Sequence, residues 1–186
     1  MKRSLFALAL AAALPLSAQA DDKLSYTYVE GGYGYVDADG GAEADGFGVR
    51  GSFEFGESGF YGFGSYSQLE VDGVNVDIDN TELGLGYAHG LSDNLDLISE
   101  FAWNDVDVDG LGSADGYRAS IGLRGSFSEN FEGLVKANYN DGDNADGDFS
   151  ATLGAQYKFT QVWGVTGEAT FADGGQTYMV GLRASF

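Results

Sequence analysis

The stretch that decides the fold is residues 177–186, T-Y-M-V-G-L-R-A-S-F. Side chains on an extended strand alternate between two faces. Tyr178, Val180, Leu182, Ala184 and Phe186 therefore share one face, and Thr177, Met179, Gly181, Arg183 and Ser185 share the other. The first face is apolar and ends on an aromatic carboxyl-terminal residue. The second is small or polar and carries a charge. A soluble sandwich would bury the apolar face, whereas a membrane barrel turns it towards lipid.

The same alternation recurs upstream. Phe47, Val49, Phe53 and Phe55 oppose Gly48, Arg50, Ser52 and Glu54; Tyr117, Ala119, Ile121, Leu123 and Phe127 oppose Arg118, Ser120, Gly122, Arg124 and Ser126. Phe149, Leu153, Tyr157 and Phe159 likewise oppose Ser150, Thr152, Gln156 and Lys158. The spacing predicts strands at 25–36, 46–55, 59–71, 80–90, 94–104, 117–127, 131–140, 148–159, 163–171 and 177–186. In 59–71 the phase stays open, because Phe60 and Tyr66 compete with Tyr61, Phe63 and Leu69. Short connections at 56–58, 91–93, 128–130 and 160–162 alternate with Asp/Gly stretches at 37–45, 72–79, 105–116, 141–147 and 172–176. Tight turns on one rim and longer loops on the other describe an outer-membrane barrel with both chain ends on the short-turn side. The expectation is an all-β, antiparallel, up-and-down transmembrane barrel of ten strands. Eight remain open if 59–71 and 80–90 merge into loop, at the expense of one oddly long connection.

Composition supports that reading. Residues 1–20 have the basic start, apolar stretch and Ala18-Gln19-Ala20 cleavage site of a secretory signal peptide. The barrel domain is then 21–186, with seven bases against 29 acids and a net charge of −22. Nucleic acid is a poor partner for such a chain. There is no cysteine, and the one proline, Pro15, lies in the signal peptide. No later apolar run is long enough for a membrane helix, so a membrane-spanning chain of this kind must close as a barrel.

The charges sort by position. Arg50, Arg118, Arg124, Lys136, Lys158 and Arg183 lie on the polar face of the expected strands, as do Glu30, Glu54, Glu82, Glu100, Glu132 and Glu168. Facing lipid, each base near the midplane would cost about 2–4 kcal/mol, so all twelve are expected in the lumen, paired across strands and largely filling it. Most aspartates instead crowd the outer stretches, which predicts a strongly anionic outer rim.

Other sites are weaker. Asp105, Asp107 and Asp109, followed by Gly110, match the first half of a calcium loop, but Gly116 stands where a bidentate Glu is needed. Asp141, Asp143, Asp146 and Asp148 form a second cluster without a regular frame. Weak calcium binding at these aspartates is the one metal expectation, against ordinary Asp-Gly turn chemistry; no cofactor is expected. Such loops could also bridge to lipopolysaccharide through divalent cations. The single histidine, His89, falls at the wrong end for a barrel hydrolase and reads as an interfacial residue, so no enzyme is expected. Scattered Tyr and Trp near strand ends read as aromatic girdles, with a carbohydrate-stacking platform as the sharper alternative. Tyr178, Val180, Leu182 and terminal Phe186 resemble the signal read by the outer-membrane assembly machinery. A monomer with an unidentified extracellular partner completes the expectation.

Segments 28–33 (Y-V-E-G-G-Y), 44–52 (A-D-G-F-G-V-R-G-S), 83–89 (L-G-L-G-Y-A-H), 114–117 (A-D-G-Y), 153–159 (L-G-A-Q-Y-K-F), 163–168 (W-G-V-T-G-E) and 171–174 (F-A-D-G) resemble the xanthomonad small outer-membrane barrel family labelled "activator of rice immunity", or diffusible-signal-factor-regulated. The resemblance implies an outer-membrane location, release in outer-membrane vesicles, and links to biofilm, motility or virulence. It implies no ligand and no catalytic residue. Envelope structure or surface interaction is the leading expectation. A narrow channel for small solutes or ions, and a soluble periplasmic barrel holding a hydrophobic ligand, are the others.

Overall fold

The computed structural model describes residues 24–186 apart from 75, 143 and 144, and without the side chains of 145 and 146. The expected signal peptide and Asp143 lie outside the described residues, as does the side chain of Asp146.

Ten strands form: β1 (Tyr28–Ala38), β2 (Ala42–Glu54), β3 (Phe60–Val71), β4 (Asp77–Ser92), β5 (Leu95–Val108), β6 (Gly112–Ser128), β7 (Phe131–Gly142), β8 (Ala145–Lys158), β9 (Trp163–Ala172) and β10 (Gly175–Ser185). Each pairs antiparallel with its sequence neighbours, and β10 returns to β1 to close the barrel. Closure leaves no edge strand, which is what a sheet in lipid requires. The barrel is also staggered. A row of partners starting at Lys158 passes through Gly164, Arg183, Glu30, Arg50, Ser65, Glu82, Asn104, Gly116 and Gly142, and returns to β8 at Ala145, thirteen residues from its start. That stagger tilts the strands and sets the width of the lumen.

The outer wall is apolar. Phe47, Leu83, Leu85, Phe101, Ile121, Phe127, Phe149, Leu153 and Val180 are all more than half exposed. On β6 the apolar outward positions run from Tyr117 to Phe127, about 25 Å of height for a strand tilted near 40°. This matches a bilayer core. On β3 the phase is settled: Tyr61 is buried inward, while Phe60 and Tyr66 face out.

Two expectations change. Strands run further at the end where the long loops were expected, leaving only 39–41, 109–111 and 173–174 between β1 and β2, β5 and β6, and β9 and β10, while β7 and β8 pair as far as Gly142 and Ala145. The acidic stretches are therefore mostly strand, and the outer connections are as short as those at the other end. Their alternation is regular: Asp105 and Asp107 point outward while Val106 and Val108 point inward, with Asp115 out and Ala114 in. Glycine does the turning, as at Gly110 and Gly112, whose φ angles of 81° and 97° suit no β-branched residue. In addition, β1 begins at Tyr28, and residues 24–27 before it are not strand. Leu24 and Tyr26 are buried with Tyr61 and Ile98, packed against Phe63, Ala88 and Leu134. This short segment packs inside the barrel at the end where β1 begins and β10 finishes.

Candidate functional site

Inward positions recur every second residue, and in this sequence those positions hold the charges. Glu30 is the best-enclosed of them, 1% exposed. Register puts Arg50 opposite it on β2 and Arg183 opposite it on β10. Arg50 Nε and Nη2 donate to Glu30 Oε1 at 2.8 and 2.7 Å, and Arg183 Nε donates to Oε2 at 2.6 Å. Gly181, also facing inward, leaves room for that carboxylate: a Cβ there would lie 3.0 Å from Glu30 Oε1. Arg50 Nη1 then reaches past the β1–β10 seam to Glu168 on β9, at 3.1 Å.

The network continues round the lumen. Lys136 Nζ donates to Glu100 Oε2 at 3.0 Å and also acts electrostatically on Glu168. Arg118 Nη2 donates to Glu82 Oε1 at 2.8 Å. Tyr61 on β3 donates its hydroxyl to Glu100 Oε1 at 2.9 Å. Nearer the termini, Arg124 Nη2 donates to Glu132 Oε2 at 2.6 Å, and Lys158 pairs with the other oxygen of Glu132. Each of the ten strands contributes a side chain to these contacts, and every ion pair seen among the described residues lies in this lumen. Of the twelve charges expected inside, Glu54 alone makes no such pair; it accepts the backbone N–H of Tyr26 at 3.0 Å.

Sequence reasoning missed residues 24–27 as a stopper. Tyr26 stacks on Tyr61 with ring centroids 4.6 Å apart, lies beneath the Arg124 guanidinium, and donates its hydroxyl to Asp96 Oδ2 at 2.9 Å. Burial is the main cause pushing the Tyr26 phenol above its ordinary pKa, against the pull of Arg124, so it remains a donor. Arg124 Nη1 donates to the Ser25 carbonyl at 2.9 Å, and Ser25 Oγ donates to the Phe186 carbonyl at 2.7 Å. One signal was present: Tyr26 shares the inward parity of Tyr28 and Glu30, so an aromatic ring at the lumen mouth was implied.

The lumen is not solid. A cavity of about 430 Å³ extends from Tyr26 and Tyr61, past the charged side chains, to Asn140, Ser150 and Thr170. Its outer part is walled by amides and hydroxyls. Asn138 Nδ2 donates to Thr152 Oγ1 at 3.0 Å, and Thr152 and Thr170 share a hydrogen bond of 2.9 Å.

Outside, the expected metal residues do not converge. Asp105 and Asp107 are successive outward positions on extended β5, and Asp109 begins the turn. Among the described residues no three acidic or imidazole side chains gather as metal ligands would. What register creates instead is like charge opposite like charge: Asp37 with Glu43, Asp45 with Glu70, Glu70 with Asp77, Asp79 with Asp107, and Asp105 with Asp115. Tyr66 and Tyr117 donate hydroxyls to Asp79 and Asp141 at 2.7 and 2.8 Å, and Tyr33 bonds to Asp45. A tyrosine girdle thus meets an acidic collar, as expected at a membrane–water boundary. His89 faces outward beside Tyr87, with ring centroids 6.4 Å apart. Tyr178, Val180 and Leu182 face outward on β10, and Phe186 N–H donates to the Thr27 carbonyl at 2.9 Å.

Comparison with known proteins fits this architecture. The chain is 31% identical over 154 residues to the uncharacterised protein YaiT of Escherichia coli K12, and 30% identical to its counterpart in Salmonella typhimurium LT2; each match covers 66% of this chain. The chain spans only 16% of the length of those relatives. Among solved structures, the β domain of the Bordetella autotransporter BrkA superimposes with a TM-score of 0.56 at 9% identity, covering 88% of this chain and all of that one. The KdgM porin, solved in complex with disordered oligogalacturonate, gives 0.53 at 12% identity, over 86% of this chain and 99% of that one. These neighbours share the fold. Residues 6–177 match the outer membrane protein beta-barrel domain family, and the chain belongs to it.

Proposed function

We propose that this chain is a closed barrel whose lumen charges act as a polar core, and that it serves envelope structure or surface interaction instead of conduction or catalysis. The observation that carries this reading is the stoppered end. Leu24 and Tyr26 pack with Tyr61 and Ile98 across the mouth, and Arg124 clamps the segment while itself paired to Glu132. An ion entering that end would have to displace an apolar cluster and part bonded charges. Catalysis lacks support, since His89 stands on the lipid-facing wall beside Tyr87.

A narrow channel for small solutes is the second reading, and the 430 Å³ cavity favours it. Planar-bilayer recording separates the two. The closed reading expects no steady steps from the parent or from Glu100→Ala. Tyr26→Ala and Arg124→Ala, which loosen the stopper, should give intermittent openings. Steady conductance in the parent, shifted by Glu100→Ala, would make the barrel a pore.

The finer parts of the reading have their own support. The pattern of residues 1–20 supports secretion and cleavage before Asp21, which intact mass of the purified barrel tests. The xanthomonad resemblance supports a role in biofilm or vesicle biology. The collar supports lipopolysaccharide contact bridged by divalent cations, because it places outward carboxylates beside the interfacial tyrosines.

A further inference from the structure

β1 and β10 meet at the one joint of the barrel that no turn ties. Nine of the ten joints lie between strands consecutive in sequence, whereas the β1–β10 seam brings together the two ends of the chain, with Tyr28 opposite Ser185. Closing it costs the entropy of the longest loop in the fold. Its middle is also poor in cross-strand side-chain pairs, the contacts that hold neighbouring strands: Gly31, Gly32 and Gly34 lie on β1, and Gly32 faces Gly181. Inside the lumen the Glu30–Arg183 pair bridges the seam. At its terminal end residues 24–27 do so.

Those four residues bind both flanks of β1 and the wall across from it. Ser25 Oγ donates to the Phe186 carbonyl at 2.7 Å, and Phe186 N–H donates to the Thr27 carbonyl at 2.9 Å, which carries the seam past the last strand residues. On the β2 side, Tyr26 N–H donates to Glu54 Oε1 at 3.0 Å and Glu54 N–H donates to Thr27 Oγ1 at 3.2 Å. Tyr26 then reaches β3 by stacking on Tyr61, and β5 through its hydroxyl bond to Asp96. Arg124, which donates to the Ser25 carbonyl, stands on β6, five strands from β1 in either direction round the barrel. Arg124 is itself fixed to β7 through Glu132, which Lys158 of β8 also holds. One short segment thus ties the carboxyl-terminal residue, β2, β3, β5 and β6 together. The full set of contacts exists only when β10 lies against β1 and β6 stands at the width of the closed barrel.

We propose that residues 24–27 are a latch on barrel closure. They dock after β10 has met β1, and they then keep the seam from reopening. Contacts that form after the folding transition state leave the folding rate alone and slow unfolding. The latch therefore sets how long the folded barrel lasts, not how fast it forms. It acts whether or not the lumen conducts.

The test follows the full chain by heat-modifiable gel mobility, which separates folded from unfolded barrel. Unfolding is timed after a jump into urea, and folding after dilution from urea into detergent micelles. Tyr26→Ala, which removes a buried ring, is expected to unfold at least about tenfold faster than the parent and to fold within about twofold of its rate. Ser25→Ala, which loses the hydroxyl bonded to Phe186, should unfold about threefold faster. If Tyr26→Ala does not fold, Ser25→Ala decides alone. Because the chain has no cysteine, a single disulfide can be placed across the seam, with Val29→Cys and Ala184→Cys at directly opposed positions. Once that bond is oxidised, the parent and both latch variants are expected to unfold at one rate, and reduction should restore the difference. Unchanged unfolding in both variants, or folding slowed as much as unfolding is quickened, would overturn the latch. So would the same acceleration with the seam cross-linked, because the segment would then steady the whole wall and not the seam.

Discussion

Inside the barrel, charge faces opposite charge; on its outer collar, charge faces like charge. Glu30 lies between Arg50 and Arg183 by register alone, whereas Asp79 lies opposite Asp107 and Asp105 opposite Asp115 by the same rule. Both regions follow one two-residue alternation, so solvent makes the difference. The lumen is screened from bulk water, where an unmatched charge is expensive. The collar stands in water and salt, where the high dielectric keeps repulsion between opposed carboxylates small and counter-ions weaken it further. The lumen must match its charges to fold, and the collar is free to accumulate them.

Several substitutions can break or sharpen this contrast. The largest effect is expected from Glu30→Ala, which takes from Arg183 its carboxylate partner and leaves Arg50 with Glu168 alone: a loss of about 3–5 kcal/mol, read as a fall in the urea midpoint of the folded band on gels. A loss below about 1 kcal/mol would mean that water already solvates the site. Gly181→Ala should cost about 1–3 kcal/mol by overpacking, because its Cβ would meet Thr166 Oγ1 at 2.8 Å and Glu30 Oε1 at 3.0 Å; unchanged stability would show that the carboxylate moves freely. Tyr26→Phe removes the bond to Asp96 and should cost about 1 kcal/mol, with no loss expected if the stopper is loosely held. On the collar the sign should reverse. Asp107→Asn relieves repulsion against Asp79 and should stabilise by a few tenths of a kcal/mol, a gain that fades in high salt. Millimolar calcium should raise the melting temperature of the parent more than that of Asp107→Asn; equal response would remove Asp107 from any cation site.

Much of this was legible in the sequence, because a barrel wall writes its fold as a two-residue period. Tyr117 to Phe127 gave the facing of β6 directly, and all ten strands could be placed. The inward parity of the twelve charges was equally readable, but not who meets whom. Arg50 reaching Glu168, and Arg118 reaching Glu82, depend on stagger and on side chains that skip strands. The acidic stretches misled because Asp and Gly favour turns. In 105–108 the alternation of Asp and Val was itself a strand signal that turn chemistry outweighed. Segment 59–71 stayed ambiguous because aromatic residues occupy both faces; the register that sets Ser65 beside Arg50 and Glu82 assigns Tyr61 inward, where it packs on Tyr26. The stopper was missed because four residues show no period of their own, although Tyr26 continues the inward parity of Tyr28 and Glu30.

The central claim is that lumen charges bind one another and so hold the barrel together. Arg118 and Glu82 test it most directly, since Arg118 makes no second ion pair among the described residues. The measurement is a double-mutant cycle of Arg118→Met and Glu82→Gln, with urea stability read for the parent, both single variants and the pair. The account predicts a coupling of about 1–3 kcal/mol, each single variant being worse than additivity with the double variant allows. Additive losses, with coupling near zero, would contradict it and make the lumen a wet pore of independently solvated charges.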